Sequence, residues 1–321
     1  MNEPVKIKEA AQMLRGMQDL LILTHKNPDG DTLGSGFALW AALRALGIRA
    51  RVHNEGEFPA KYGFMTGPYF ERAEEFEPRH IISVDTAAVK LMGEKTSAAY
   101  ARRVELAIDH HGTNEQYALS LTVCDPGSAS CCELIARLID ALGVRMDTYM
   151  ANCIYTGLAT DTGCFKYSNT TADSHLLAAR LIGLGVDFAQ LNRIFFETKS
   201  RGRIRLEQMA LAGIEYAAGG KIAMITITQE MLKRAGCDHS DIEGVTPIPR
   251  TIEGVELGVT LRELENGNYK VSLRSFELDS AKLCALFGGG GHKRAAGFEC
   301  SGTPHDIKAA VVAAAEAEMA K

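Results

Sequence analysis

The residues best equipped for chemistry are aspartates and histidines that directly follow short apolar runs. Leu20-Leu21-Ile22-Leu23-Thr24 leads into His25-Lys26-Asn27-Pro28-Asp29-Gly30-Asp31. His80-Ile81-Ile82-Ser83-Val84 ends at Asp85, and Val104-Glu105-Leu106-Ala107-Ile108 ends at Asp109-His110-His111. Carboxylate and imidazole are the ligands suited to Mn²⁺ and related divalent ions. Carboxylates gathered in one place repel one another until a cation neutralises them. Pro28 and Gly30 aim Asp29 and Asp31 from a tight turn. A helix opening at Asp31 or Thr32 would add the positive end of its dipole. Each stretch alone has an ordinary explanation: a turn with a helix cap, a capping carboxylate, a polar strand end. Their recurrence after successive strands favours one shared centre. Asp161, near the end of an apolar helical stretch that starts at Tyr149, reads by pattern alone as a helix-end or loop carboxylate.

A second group lies toward the C-terminus. Phe287-Gly288-Gly289-Gly290-Gly291-His292-Lys293-Arg294 offers backbone that a ligand can approach closely, with N–H groups able to form an anion nest and cations beside it. The spacing is not that of a P-loop. Just before it, Val255 to Leu264 and Tyr269 to Phe276 form a hairpin pattern around Glu265-Asn266-Gly267-Asn268. A three-residue loop at 266–268 pairs Glu265 with Tyr269, Leu261 with Leu273 and Arg262 with Ser272. Arg262, Lys270 and Arg274 then share one face. His53, His80, His175, His239 and His305 have no partner motif and read as structural, and Cys124, Cys153 and Cys164 read as core.

The elements that must position these residues alternate. Strand patterns at 20–24, 51–53, 80–84, 104–108 and 119–124 are separated by helical spacing such as Leu33, Phe37, Trp40, Leu43 and Leu46. That alternation predicts an α/β fold with a parallel sheet, in which strand C-termini border the ligand crevice. Helices dominate from about 129 to 184. Residues 187–218 read as helical, with a solvated basic run from Lys199 to Arg205. A second α/β unit opens at Lys221, and an Ala-rich helix closes the chain from about His305. The expected division is a metal-binding domain at 1–188, a helical connector at 189–218 and a smaller α/β domain at 219–321.

Bulk properties narrow the function. A chain of 321 residues, 46% hydrophobic and 23% charged, is that of a globular protein with room for two cores. The net charge of −5 argues against a firm grip on a long nucleic acid and for a small anionic substrate held by local cations. Eight scattered cysteines without a CxxC pair suit free thiols in a reducing cytoplasm. No apolar run approaches the roughly 20 residues of a membrane span, and MNEPVKIKEA has no signal-peptide pattern.

His25-x-x-Pro-x-Gly-Asp, Val84-Asp85-Thr86, Asp109-His110-His111 and Asp161 resemble the four motifs of the DHH phosphoesterase superfamily. The run from Gly288 to His292, with the arginine-bearing hairpin, resembles the DHHA1 domain. Order and spacing look most like the oligoribonuclease and pAp-phosphatase branch. The resemblance implies an N-terminal DHH domain, a C-terminal DHHA1 domain and an active-site cleft between them. It implies two divalent ions, Mn²⁺ first with Mg²⁺ or Co²⁺ as alternatives. His25, Asp29 and Asp85 would hold one; Asp31, Asp85, His110 and Asp161 would hold the other, with Asp85 bridging. Asp109 would orient a neighbouring imidazole, and His111 would contact the scissile phosphate or leaving oxygen. Arg262, Arg274 and His292 would bind the nucleotide or its non-reacting phosphate, with Gly289, Gly290 and Gly291 letting it sit close. The implied reaction is attack by a metal-activated hydroxide on short single-stranded RNA, on 3′-phosphoadenosine 5′-phosphate, or on both. Rival readings are a phosphodiesterase for linear di-adenylate and a non-catalytic RNA-binding module. A homodimer is implied as well. The segment Ser128-Ala129-Ser130-Cys131-Cys132-Glu133 departs from the expected small and hydroxyl residues by its cysteines, and Ser130 is a candidate phosphate contact.

Overall fold

The computed structural model describes residues 3–237 and 239–320. The chain divides into two compact units, Met1–Thr198 and Lys199–Lys321. In the first, β1 (Leu20–Leu23), β2 (Ala50–His53), β3 (His80–Val84), β4 (Val104–Asp109) and β5 (Leu121–Cys124) form a parallel sheet in the order β2-β1-β3-β4-β5. β1 is apolar and buried throughout, as a strand covered on both faces must be. On one face, Leu20 and Ile22 join a core with Leu14, Phe37, Trp40, Leu134 and Ile154. These come from the helices Glu3–Arg15, Gly30–Ala45, Cys131–Ala141 and Thr148–Asp161. On the other face, Leu21 and Leu23 pack with Ile81, Met92 and Val104. β1 is flanked by β2 on one side and β3 on the other, so the connections leave it in opposite directions. Such a switch point opens a crevice at the strand C-termini.

The second unit carries β6 (Glu215–Ala217), β7 (Ile222–Ile227), β8 (Leu257–Glu263), β9 (Tyr269–Ser275), β10 (Gly290–His292) and β11 (Ala295–Cys300), ordered β10-β11-β9-β8-β7-β6. Only β7 and β8 run parallel among these described pairs. One face of the sheet packs Leu257, Val259, Leu261, Val271, Leu273 and Phe298 with Leu283, Ile307 and Val311, which lie on the helices Ser280–Ala285 and Pro304–Met319.

Several expectations are corrected here. The hairpin pairs Glu263 with Tyr269 and Arg262 with Lys270, a register shifted by two residues. The cause is the turn: Leu264 N–H donates to Asn268 O, Gly267 N–H donates to Leu264 O, and Gly267 adopts φ +81°. A shift of two preserves the period-two facing, so Arg262, Lys270 and Arg274 still share a face. Helix does not continue to 218. It breaks into Phe188–Asn192, a π-turn at Arg193–Glu197 and Arg201–Ala212. The chain then becomes strand at Glu215–Ala217 and reverses through Gly219 and Gly220. Thr198 and Lys199 fall on opposite sides of the division, and Leu206 and Ala210 pack on Ile225 and Ile227 of the second unit. The basic run is not simply solvated, since Lys199 and Arg203 pair with Glu207 at 2.8 and 2.9 Å. Part of the glycine run is strand, Gly290 pairing with Gly297. A Cβ at Gly289 would overlap Phe298 and the Gly297 carbonyl, so packing alone demands glycine there.

Candidate metal centre

The residues after β1, β3 and β4 converge, because these three strands are neighbours in the sheet. Asp29 is the N-cap of Gly30–Ala45; its Oδ1 accepts from the N–H groups of Asp31 and Thr32 at 3.0 Å, leaving Oδ2 beside His25. The helix thus opens at Gly30, one residue earlier than the expected earliest start. Asp31, fully buried, points from its first turn into the fold. Its two carboxylate oxygens accept from the N–H groups of Cys131 at 2.6 Å and Cys132 at 2.9 Å, the first turn of another helix. Asp161 is the last residue of Thr148–Asp161, which packs tightly on Gly30–Ala45. Gly157 permits this approach: a Cβ there would overlap Cys132 Sγ and the Asp31 side chain.

Asp85 lies at the middle of the cluster. Its Oδ2 is 3.6 Å from His25 Nε2, and its Oδ1 is 3.6 Å from His110 Nε2 and 3.7 Å from His111 Nδ1. His25 Nε2 also stands 3.5 Å from Asp29 Oδ2. His110 Nε2 stands 3.7 Å from Asp31 Oδ2 and 3.4 Å from Asp161 Oδ2. Most of these separations are too long for good hydrogen bonds. They approach the spacing of neighbouring ligands around one divalent ion, whose bonds run about 2.0–2.2 Å. Three triads have ligand atoms within 4.8 Å of one another: His25, Asp29 and Asp85; Asp31, His110 and Asp161; Asp85, His110 and His111.

The polar bookkeeping fits a cation. Asp85 Oδ1 is buried with no hydrogen-bond partner, and the residue adopts φ +50°, a left-handed conformation uncommon outside glycine, although aspartate takes it more readily than most residues. Burial, followed by the Asp85, Asp161 and Asp29 charges, pushes the Asp31 carboxyl well above the usual carboxylate range. Burial and the Asp85 and Asp29 charges push Asp161 up to about 8. Burial works against charge on His25, but Asp29 and Asp85 overcome it and raise it to about 10. A cluster that must otherwise hold protons to limit its own repulsion is a cluster built for positive charge.

Asp109 has a different surrounding. It is fully buried, and its Oδ1 accepts from His111 Nδ1 at 2.8 Å, while Asn114 Nδ2 donates to Oδ2 at 2.6 Å. Despite burial, the His111 and Asn114 bonds hold its carboxyl below the usual range, and the bond that His111 donates to Asp109 raises His111 to about 9, against its own burial. His110 Nδ1 lies 3.2 Å from the Ser128 carbonyl, which can only accept and therefore orients the ring with Nε2 toward Asp31, Asp85 and Asp161. Asn114 was not among the residues singled out from sequence, and the Ser128–Glu133 segment was, but without the backbone roles of the Ser128 carbonyl and the Cys131 and Cys132 amides. The last two had a signal, Ser130-x-x-Glu133, the pattern of a helix N-terminus. In the fold Ser130 is fully buried and its hydroxyl has no partner.

The structure therefore gathers His25, Asp29, Asp31, Asp85, Asp109, His110, His111 and Asp161 in the first unit. Arg262, Arg274, Gly289, Gly290, Gly291 and His292 lie in the second, where the His292 side chain is outside the described residues. There Arg262, Lys270, Ser272 and Arg274 line a cavity of about 280 Å³ with Thr246, Thr260 and Ile242.

Comparison with known proteins agrees with both units. The model of the DHH family, N-terminal domain, matches residues 19–158, and that of the DHHA1 domain matches 217–321. The chain is 34% identical over 312 residues to the bifunctional oligoribonuclease and PAP phosphatase NrnA of Thermus thermophilus, covering 94% of this chain and 90% of that protein. The crystal structure of an exopolyphosphatase-related protein from Bacteroides fragilis superposes with a TM-score of 0.88 at 28% identity, over 97% of this chain and 96% of that one. RecJ in complex with Mn²⁺, also from Thermus thermophilus, shares the fold, with a TM-score of 0.55 at 17% identity over 97% of this chain and 55% of that one. With both domains matched in order and a 34%-identical relative aligned along nearly its whole length, this chain belongs to the DHH/DHHA1 family of phosphoesterases.

Proposed function

We propose that this phosphoesterase hydrolyses short oligoribonucleotides to mononucleotides and removes the 3′-phosphate of 3′-phosphoadenosine 5′-phosphate, using two divalent ions with Mn²⁺ preferred. The observation that carries the metal half of the reading is Asp85, buried, with an unpartnered Oδ1 between His110 and His111 and its Oδ2 toward His25. His25, Asp29 and Asp85 would hold one ion; Asp31, Asp85, His110 and Asp161 would hold the other. Bound there, divalent ions would lower the pKa of water and neutralise phosphoryl and leaving oxygens. Asp109 engages His111 at Nδ1, which leaves Nε2 of this half-exposed ring to hydrogen-bond the scissile phosphate or the leaving oxygen. The substrate half rests on the named relative and on the cavity of Arg262, Lys270 and Arg274, whose cations and hydroxyls suit a phosphate or nucleotide. His292 and the backbone at Gly289, Gly290 and Gly291 belong to that same binding role. A metal-binding domain followed by a smaller substrate-binding domain, a homodimer and a cytoplasmic setting of free thiols complete the reading. Among the described residues no disulfide forms, and no helix is long and apolar enough to cross a membrane.

The test is a panel of 3′-phosphoadenosine 5′-phosphate, linear di-adenylate and RNA dimers to pentamers, each with Mn²⁺, Mg²⁺ and Co²⁺. Turnover of the first compound and of the shortest RNAs, fastest with Mn²⁺, is expected. Turnover confined to linear di-adenylate would replace this reading with the narrower diesterase, and binding without turnover would replace it with an RNA-binding module.

A further inference from the structure

Beyond the metal centre, the turn that follows Asp161 is unusual. Gly163, Cys164 and Phe165 are three successive residues in the left-handed region, with φ of 57°, 58° and 62°. Two of them carry a Cβ, which makes the conformation unfavourable unless its surroundings impose it. The surroundings do so. Phe165 points inward and stacks on His175 with centroids 5.1 Å apart, and lies 6.3 Å from the Tyr155 ring. Thr162 O accepts from the N–H groups of Lys166 and Tyr167, and Thr162 Oγ1 accepts from Phe165 N–H at 3.1 Å. Asn169 Nδ2 donates to Ala129 O at 3.0 Å and to Asp161 O at 3.2 Å, which clamps the far end of the turn to the metal-ligand helix.

What this constrained turn presents is Tyr167. Phe165 is anchored inside, whereas Tyr167, two residues later, is 54% exposed. Its ring lies over the backbone of Gly163, itself two residues from Asp161, so closely that no side chain could stand between them. The ring is thus backed by Gly163, while more than half of the residue is exposed. An aromatic ring held by a constrained turn, backed on one side and exposed, on the segment that directly follows Asp161, has the makings of a stacking platform. It offers no donor set for a phosphate chain, but every nucleobase has a π-face to lay on it.

We infer that Tyr167 is a specificity-determining residue that stacks on a nucleobase of the substrate next to the scissile phosphate, so that the enzyme selects base-bearing nucleotides over base-free phosphate esters. The inference rests on the function proposed above and adds the base as a recognised group. The experiment compares wild type, Tyr167→Ala and Tyr167→Trp on a diribonucleotide and on its two singly abasic counterparts, with Mn²⁺, reading kcat and KM separately. Tyr167→Ala should lower kcat/KM on the intact dinucleotide on the order of tenfold, mainly through KM, as loss of one stacked base does. On one of the abasic dinucleotides it should match wild type, because the group that it recognises is already gone. Tyr167→Trp should retain wild-type behaviour, and the melting temperature of Tyr167→Ala should be unchanged. An equal loss on the intact and both abasic substrates, or no loss on the intact one, overturns the role of Tyr167 while leaving the proposed function standing. Failure of wild type to hydrolyse the intact dinucleotide overturns both.

Discussion

At the scale of single residues, the centre depends on Asp85. Its carboxylate lies between the imidazoles of His25 on one side and His110 and His111 on the other, and its charge also bears on Asp31 and Asp161. Asp85→Asn keeps the shape and removes a charge from a crowded group of acids. In the metal-free protein that substitution should leave the fold intact, because the lost attraction to His25 and His111 is offset by relief of repulsion with Asp31 and Asp161. It should also abolish Mn²⁺-dependent hydrolysis and any Mn²⁺-induced rise in melting temperature. A variant that still turns over substrate with Mn²⁺ would remove Asp85 from the centre. The sequence made most of this legible, because an Asp or a His pair after an apolar strand is visible without coordinates. What it could not carry was the support. Asn114 fixes Asp109 from only five residues further on, but a lone Asn in a loop carries no motif to mark it. The Cys131 and Cys132 amides grip Asp31 across about a hundred residues of chain, a contact that no local pattern encodes.

At the scale of elements, three parallel strands deliver residues to one edge, and two helices bring Asp31 and Asp161 together. The strands were readable because a buried parallel strand is a short apolar run. The placement of Asp161 was not, because it depends on how closely Gly30–Ala45 and Thr148–Asp161 approach. Gly157 controls that approach. Gly157→Ala should push Cys132 and Asp31 away, destabilising the first unit by about 1–3 kcal/mol as overpacked sites do. It should weaken Mn²⁺ binding beyond what that loss explains, measurable by calorimetric titration at a temperature where the variant remains folded. Unchanged affinity would mean that the helices tolerate separation without moving the ligands. The hairpin teaches a related lesson. Its facing was legible from period-two alternation, whereas its register was set by the turn at 264–268, where backbone hydrogen bonds to Leu264 and Asn268 decide the pairing.

At the scale of the molecule, each unit has its own sheet and core, and all the proposed metal ligands lie in one of them. Ligand binding to a folded state stabilises it by mass action, about 2.7 kcal/mol at a free concentration one hundred times Kd. For a unit of this size that is about 5–10 °C in melting temperature. Scanning calorimetry with and without Mn²⁺ should therefore raise the transition of Met1–Thr198 by this order and leave that of Lys199–Lys321 in place. A shift in the second transition alone would locate the ion elsewhere. The broad plan of two α/β units was legible from alternating strand and helix patterns. The dividing point at Thr198 was not, because Arg201–Ala212 looks like a connector until Leu206 and Ala210 are seen to pack against Ile225 and Ile227.

Cys131, Cys132 and Cys153 are all fully buried in the helical layer around Asp31, and burial pushes each thiol far up in pKa. Such thiols are inert in the closed fold and react only when the layer parts. They therefore form an intrinsic gauge of breathing at the centre. The rate at which an alkylating reagent consumes them, compared between chelated and Mn²⁺-loaded protein, reads the free energy of local opening directly, with no probe added to the chain.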